Sequence, residues 1–194
     1  MNPVIHLDAR GLDRRIQLIA ERIDTSITQP QPNGRGGTYM LKDFAHEIVR
    51  GTPQHGVGSE LDPIQRVFQY VRTNIEYRQD PADYDYFMSA GRAINSGSGD
   101  CDDHCILACS LLSSIGYTTG ARVISPDGNG WHIYSIVGVN PAFNGLPTEV
   151  IPFDTTQADS DRLGWEPPTQ YRAFEKQCTF REGRAVGMHW RSKG

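Results

Sequence analysis

Between Gly99 and Gly116 the chain reads Asp100-Cys101-Asp102-Asp103-His104-Cys105, then sets Ile106, Leu107, Leu111, Leu112 and Ile115 on more than one helical stripe. A helix that is apolar on most sides has no face to give to water, so the rest of the fold must surround it. Asp100 is the expected N-cap, Asp103 stands in capping-box register three residues on, and Gly116 is the expected stop. The pattern predicts a central helix that begins at Cys101 and carries a thiol on its first turn. Free N–H groups and the positive end of the helix dipole favour a negative sulfur there. The carboxylates of Asp100, Asp102 and Asp103 oppose it.

Upstream, Leu12, Ile16, Ile19 and Ile23 recur at helical spacing, which predicts an amphipathic helix over 11–24 with Arg14, Arg15, Glu21 and Arg22 on its wet side. Residues 28–37 contain Pro30, Pro32, Gly34, Gly36 and Gly37 and read as a linker, which makes residues 1–27 an arm. A short helix over 40–49 and a core-facing one from Asp62 and Pro63 (Ile64, Val67, Phe68, Val71, Ile75) follow. Residues 76–98 read as a long polar connection with packed tyrosines, including Tyr77. After the central helix, 119–125, 131–139 and 148–153 read as strands, the first two joined by a hairpin-type turn at 126–130. Helices followed by strands with short turns predict an α+β fold, its central helix packed on an antiparallel sheet. The expected domain is 38–160, and the weakly patterned residues 161–194 form an extension with one short strand near Cys178–Phe180.

The 194 residues suffice for one core. A formal charge of −4 gives no electrostatic footprint for nucleic acid or a membrane surface, and neither is expected as a partner. The first eight residues lack the pattern of a signal peptide, and no stretch reaches membrane-span length, so a soluble chain is expected. Cys101, Cys105 and Cys109, four apart on one helix, make poor disulfide geometry and read as reduced thiols.

Acyl transfer by cysteine needs a thiolate, a base held in one tautomer, and donors for the oxyanion. Cys101 as nucleophile, His132 on a strand as base and Asp154 as its orienting acid meet the first two needs, and the Cys101 N–H contributes to the third. Asp102, Asp103 and His104 stand beside the site, and His104 is an alternative base. Against this, each residue has a plain reading: a small buried cysteine, a strand histidine and a turn former before Thr155. Zinc on Cys101, His104 and Cys105 is a further alternative, but residues four apart on one helix supply only part of a tetrahedral shell. Residues 127–130 lack the closing Glu of a calcium loop and read as a turn. No metal or other cofactor is expected.

With these residues in hand, the stretch from Asp62 to Thr156 resembles the transglutaminase-like superfamily, a papain-like group of cysteine enzymes. The resemblance lies in "YRQDP", "GDCDDHCILACSLLSSIGY", "ARVIS", "WHIYSIV" and "IPFDTT". It implies Cys101, His132 and Asp154 as a catalytic triad acting on a protein or peptide substrate. In related enzymes a polar residue upstream of the cysteine adds an oxyanion donor, and Asn95 is the candidate. The forms "GDCDDH", "VRTNIEYRQDP" and "LGWEPP" are similar to transglutaminase-like proteins encoded among bacteriophage structural genes. That narrower resemblance implies a location in the bacterial host cytoplasm or the virion, with phage structural proteins as partners and the arm as the attachment. Hydrolysis is the expected reaction, and transamidation or a purely structural role are the alternatives.

Overall fold

The computed structural model describes residues 9–52, 61–81, 86–125, 131–141, 147–157, 162–166, 174–181 and 184–192. Its helices are α1 (Ala9–Thr28), α2 (Leu41–Ile48), α3 (Leu61–Asn74), α4 (Ala90–Ser96) and α5 (Cys101–Ser114). Four two-residue strands lie among them: β1 (Gln31–Pro32), β2 (Thr38–Tyr39), β3 (Glu76–Tyr77) and β4 (Ser98–Gly99). After α5 come β5 (Thr119–Ser125), β6 (His132–Pro141), β7 (Pro147–Phe153), β8 (Phe174–Arg181) and β9 (Arg184–Ser192). These five make one sheet in the order β7-β6-β5-β8-β9, with every neighbouring pair antiparallel. The architecture is the expected α+β one, with α5 at its centre.

The capping box at the start of α5 forms as its sequence predicts. An Asp100 carboxylate oxygen accepts from the N–H groups of Asp102 and Asp103 at 3.0 and 3.3 Å, and the Asp103 carboxylate accepts from the Asp100 N–H at 3.3 Å. Further along α5, Leu107, Ala108, Leu111 and Leu112 pack with Ile64, Val67, Phe68 and Val71 of α3. Ile106 and Cys109 pack with Ile16, Ile19 and Ile23 of α1 and with Ala121, Val123 and Ile133 of the sheet. Each such large apolar side chain contributes roughly 1.5–3 kcal/mol on burial, so covering two faces of α5 dominates the core.

One expectation is corrected and two are extended. Helix α1 is not detached: Ile16, Ile19 and Ile23 pack against Ile106 and Cys109 of α5, so that it docks on its own domain. Nor are residues 28–37 a plain linker. Gly and Pro exclude a helix there but permit a two-residue ladder, and β1 pairs with β2 around a turn in which Asn33 Oδ1 accepts from the N–H groups of Arg35 and Gly37. Within the region from 161 onward, the strand expected near Cys178–Phe180 is longer and belongs to the sheet, with Phe174–Phe180 of β8 paired to β5. The 76–98 connection also contains α4 and a parallel bridge between β3 and β4. The turn expected at 126–130 lies outside the described residues.

Candidate active site

The local fold brings three segments together at one end of the sheet. Cys101 opens α5, His132 opens β6, and Asp154 follows the last residue of β7. Phe153 pairs with Ser135, so β6 runs past the end of β7 and its first residues have no ladder partner on that side. The N–H of Ile133, the residue after His132, acts on the Cys101 sulfur and favours its thiolate. On the same side Asp154 Oδ2 lies 2.7 Å from His132 Nε2, leaving Nδ1 as the ring nitrogen outside this bond.

The Asp154 corner is fixed from several directions. Its other oxygen accepts from the Thr156 N–H at 2.9 Å and the Thr156 hydroxyl at 2.8 Å. Arg72 of α3 donates to the carbonyls of Thr155 and Gln157, and His104 Nδ1 lies 2.8 Å from Thr155 Oγ1. Burial alone would raise the Asp154 carboxyl, but the His132 hydrogen bond and charge, with the Thr156 donors, bring it below its usual range. His132 is held from its other face by the Tyr134 ring, stacked at 5.8 Å. The Tyr134 hydroxyl donates to Glu166 at 2.9 Å, and Glu166 pairs with Arg122.

Around the thiol the electrostatics work against ionisation. Burial pushes Cys101 well above the ordinary thiol range, Asp102 and Asp100 add to this, and the Ile133 N–H and Arg15 pull the other way. Together these influences favour the neutral thiol over the thiolate. Asp100, buried beside Asp102 and Asp103, is pushed up to about 8, and buried Asp103 to about 6. Burial lowers His104 to about 4, against the pull of Asp154 and the Glu76 backbone. His104 is therefore neutral at pH 7, with one ring nitrogen engaged by Thr155. Its place is behind Asp154, and Asp154 pairs with His132.

Asn95 is directed elsewhere. It sits exposed on α4, its amide donates to the Pro32 carbonyl at 2.6 Å, and its other end meets Gly34. Proximity in sequence suggested it, and the turn of α4 carries it toward the β1–β2 hairpin. Tyr77 is the residue that the sequence reading left without a role. Bridged to Gly99 through β3 and β4, its ring is 6.4 Å from that of His104. Its hydroxyl is raised by burial and then by the charges of Cys101, Asp100, Asp102 and Asp154. The available signal was its place at the end of the core helix, just before the loop leading to Cys101. Cys105 and Cys109 are buried core residues.

A thiol on the first turn of a helix, a carboxylate-held imidazole opening a strand of the sheet and a protonated phenol make a constellation suited to nucleophilic acyl chemistry. Residues 42–135 match the family model of the transglutaminase-like superfamily. No curated protein matches the chain. Among solved structures, the chain is similar to a "putative protease" from Parabacteroides distasonis at a TM-score of 0.52 and 10% identity, covering 89% of this chain and 30% of that one. A "putative cysteine protease" from Cytophaga hutchinsonii aligns at a TM-score of 0.49 and 15% identity, over 97% of this chain and 57% of the other. LapG of Legionella pneumophila aligns at a TM-score of 0.49 and 17% identity, over 88% and 87%. The chain thus spans little more than half of the Cytophaga protein and under a third of the Parabacteroides one.

Proposed function

We propose that the protein is a cysteine hydrolase of the peptidase or amidase type, with Cys101 as nucleophile, His132 as base and Asp154 as the group that orients His132. The observation that carries this reading is the His132–Asp154 bond at the end of β6 where the Ile133 N–H meets the Cys101 sulfur. In the first half-reaction the Cys101 proton passes to His132 Nδ1 as the sulfur attacks the substrate carbonyl. His132 then returns that proton to the leaving amine, and a thioester remains on Cys101. Water, deprotonated by His132, attacks the thioester, and the proton returns to the departing sulfur. The product is a carboxylic acid.

Two donors suit the oxyanion. The α5 cap uses the N–H groups of Asp102, Asp103 and His104, and the Cys101 N–H is the one it does not use. The Tyr77 hydroxyl, kept protonated by the charges around it, is the second. The substrate class is a protein or peptide carbonyl. A role among phage structural proteins is a separate proposal, and with the apolar stripe of α1 packed on α5 it would use other surfaces of the chain.

The test is turnover of a peptide library by the wild-type chain, Cys101→Ala and His132→Ala, with circular dichroism to show that the fold survives. Cleavage lost in both variants is expected, and cleavage retained in either overturns the assignment. Incorporation of a primary amine in place of water would move the reaction to transamidation.

A further inference from the structure

Arg15 was expected on the wet side of its helix, and the structure turns it inward. One guanidinium nitrogen of Arg15 lies 2.5 Å from Asp102 Oδ2, across the packed interface of α1 and α5. The Asp102 side chain is only 2% exposed and that of Arg15 20%. The guanidinium also lies over the Phe87 ring, 5.5 Å from its centroid, which fixes it from a second side. Asp102 is the residue after the nucleophile, so a buried negative charge next to the reacting sulfur is matched by a positive one from a helix outside the family-matched residues 42–135.

We propose that Arg15 is a positioning residue for the Cys101 nucleophile: from α1 it pins Asp102 and cancels its charge, so that His132 can serve the thiol instead of the carboxylate. This rests on Cys101 being the nucleophile. The groups acting on the sulfur are Asp100 and Asp102 on α5, Ile133 on β6, Arg15 on α1 and Tyr77 on β3, and His132 at the start of β6 acts on Asp102. Asp154 lies behind His132, and Asp80 acts on Asp100, Asp102 and Asp103 from the loop after β3. Arg15 is the cation that α1 brings to this group. Without it, the Asp102 carboxylate faces both the thiol and His132, and His132 is attracted to Asp102 as well as to Asp154. A buried charge left without its partner is costly, so the pair acts on both geometry and charge.

The experiment measures the pH midpoint of Cys101 alkylation by iodoacetamide, located by peptide mass spectrometry, in the full-length wild type, Arg15→Gln, Arg15→Lys, Asp102→Asn and the Arg15→Gln/Asp102→Asn double variant. Arg15→Gln is expected to raise the midpoint by about one pH unit, a tenfold slower reaction at fixed pH below it. Asp102→Asn should lower the midpoint, the double variant should lie close to wild type, and Arg15→Lys should recover most of the Arg15→Gln shift. A merely structural pair would move both single variants in the same direction. Shifts of the same sign, or none, overturn the proposal. Should Arg15→Gln fail to fold, Asp102→Asn against the double variant, which buries no unpaired charge, decides the sign. Absence of turnover with the opposed shifts intact would sink the hydrolase reading and leave the role of Arg15 standing.

Discussion

Asp100 does two things at once: it caps α5, and it sits buried among carboxylates. Its proton is held up to about 8, so at pH 7 the N-cap is largely a neutral acid accepting from two N–H groups. A carboxyl whose folded pKa is raised gives stability that is complete below its unfolded value near 3.9 and is lost as pH rises through the folded value. Stability attributable to Asp100 should therefore decline between about pH 4 and 8. Asp100→Asn, which keeps a good capping side chain, should remove that decline and be more stable than wild type by about 1–2 kcal/mol at pH 8.5, as read from urea unfolding at several pH values. Tyr77 belongs to the same scale. Tyr77→Phe should cut turnover ten- to a hundredfold while leaving the alkylation midpoint of Cys101 within a few tenths of a unit, because a donor to the oxyanion acts only after attack. A loss of turnover matched by lost thiol reactivity would instead make Tyr77 a contact of the resting sulfur.

Among the elements, α5 was the most legible in sequence and α1 the least well placed. The start of α5 is written locally, in a cap, a box partner and an apolar run, and local signals survive without knowledge of the fold. The stripe Ile16, Ile19 and Ile23 says that α1 needs a partner, yet nothing in the stripe says which one. The inward turn of Arg15 shares that cause, since its partner Asp102 is 87 positions away. Of the last two strands only the piece of β8 near Cys178–Phe180 was legible: Phe174, Cys178 and Phe180 fall at alternate positions, but Lys176 interrupts that period. The candidate triad residues were each legible, whereas the supports of Asp154 (Arg72 and Thr156) were not, being polar residues of ordinary appearance. Because α1 is part of the core, Ile19→Ala should cost about 2–4 kcal/mol by chemical denaturation. A cost below 1 kcal/mol would mean that the helix is dispensable for the core after all.

The whole molecule is one cooperative unit on this account. Strand β5 lies between β6 and β8, so removing the residues after 160 leaves its second edge bare, and removing α1 uncovers Ile106 and Cys109. A fragment of residues 38–160 should lack a cooperative thermal transition by circular dichroism, whereas the full chain should unfold in a single one. Independent folding of that fragment would restore the arm and the extension as separable pieces. Among the described residues, no helix is long and apolar enough to cross a membrane.

The placement of β8 has a consequence in time. Synthesis delivers Cys101 first, then His132, then Asp154, and only afterwards the strand that closes the free side of β5. Until that strand emerges, one edge of β5 in the nascent chain has no ladder partner. Completion of the five-stranded sheet thus falls to residues 174–192, after every residue of the proposed triad is already in the chain.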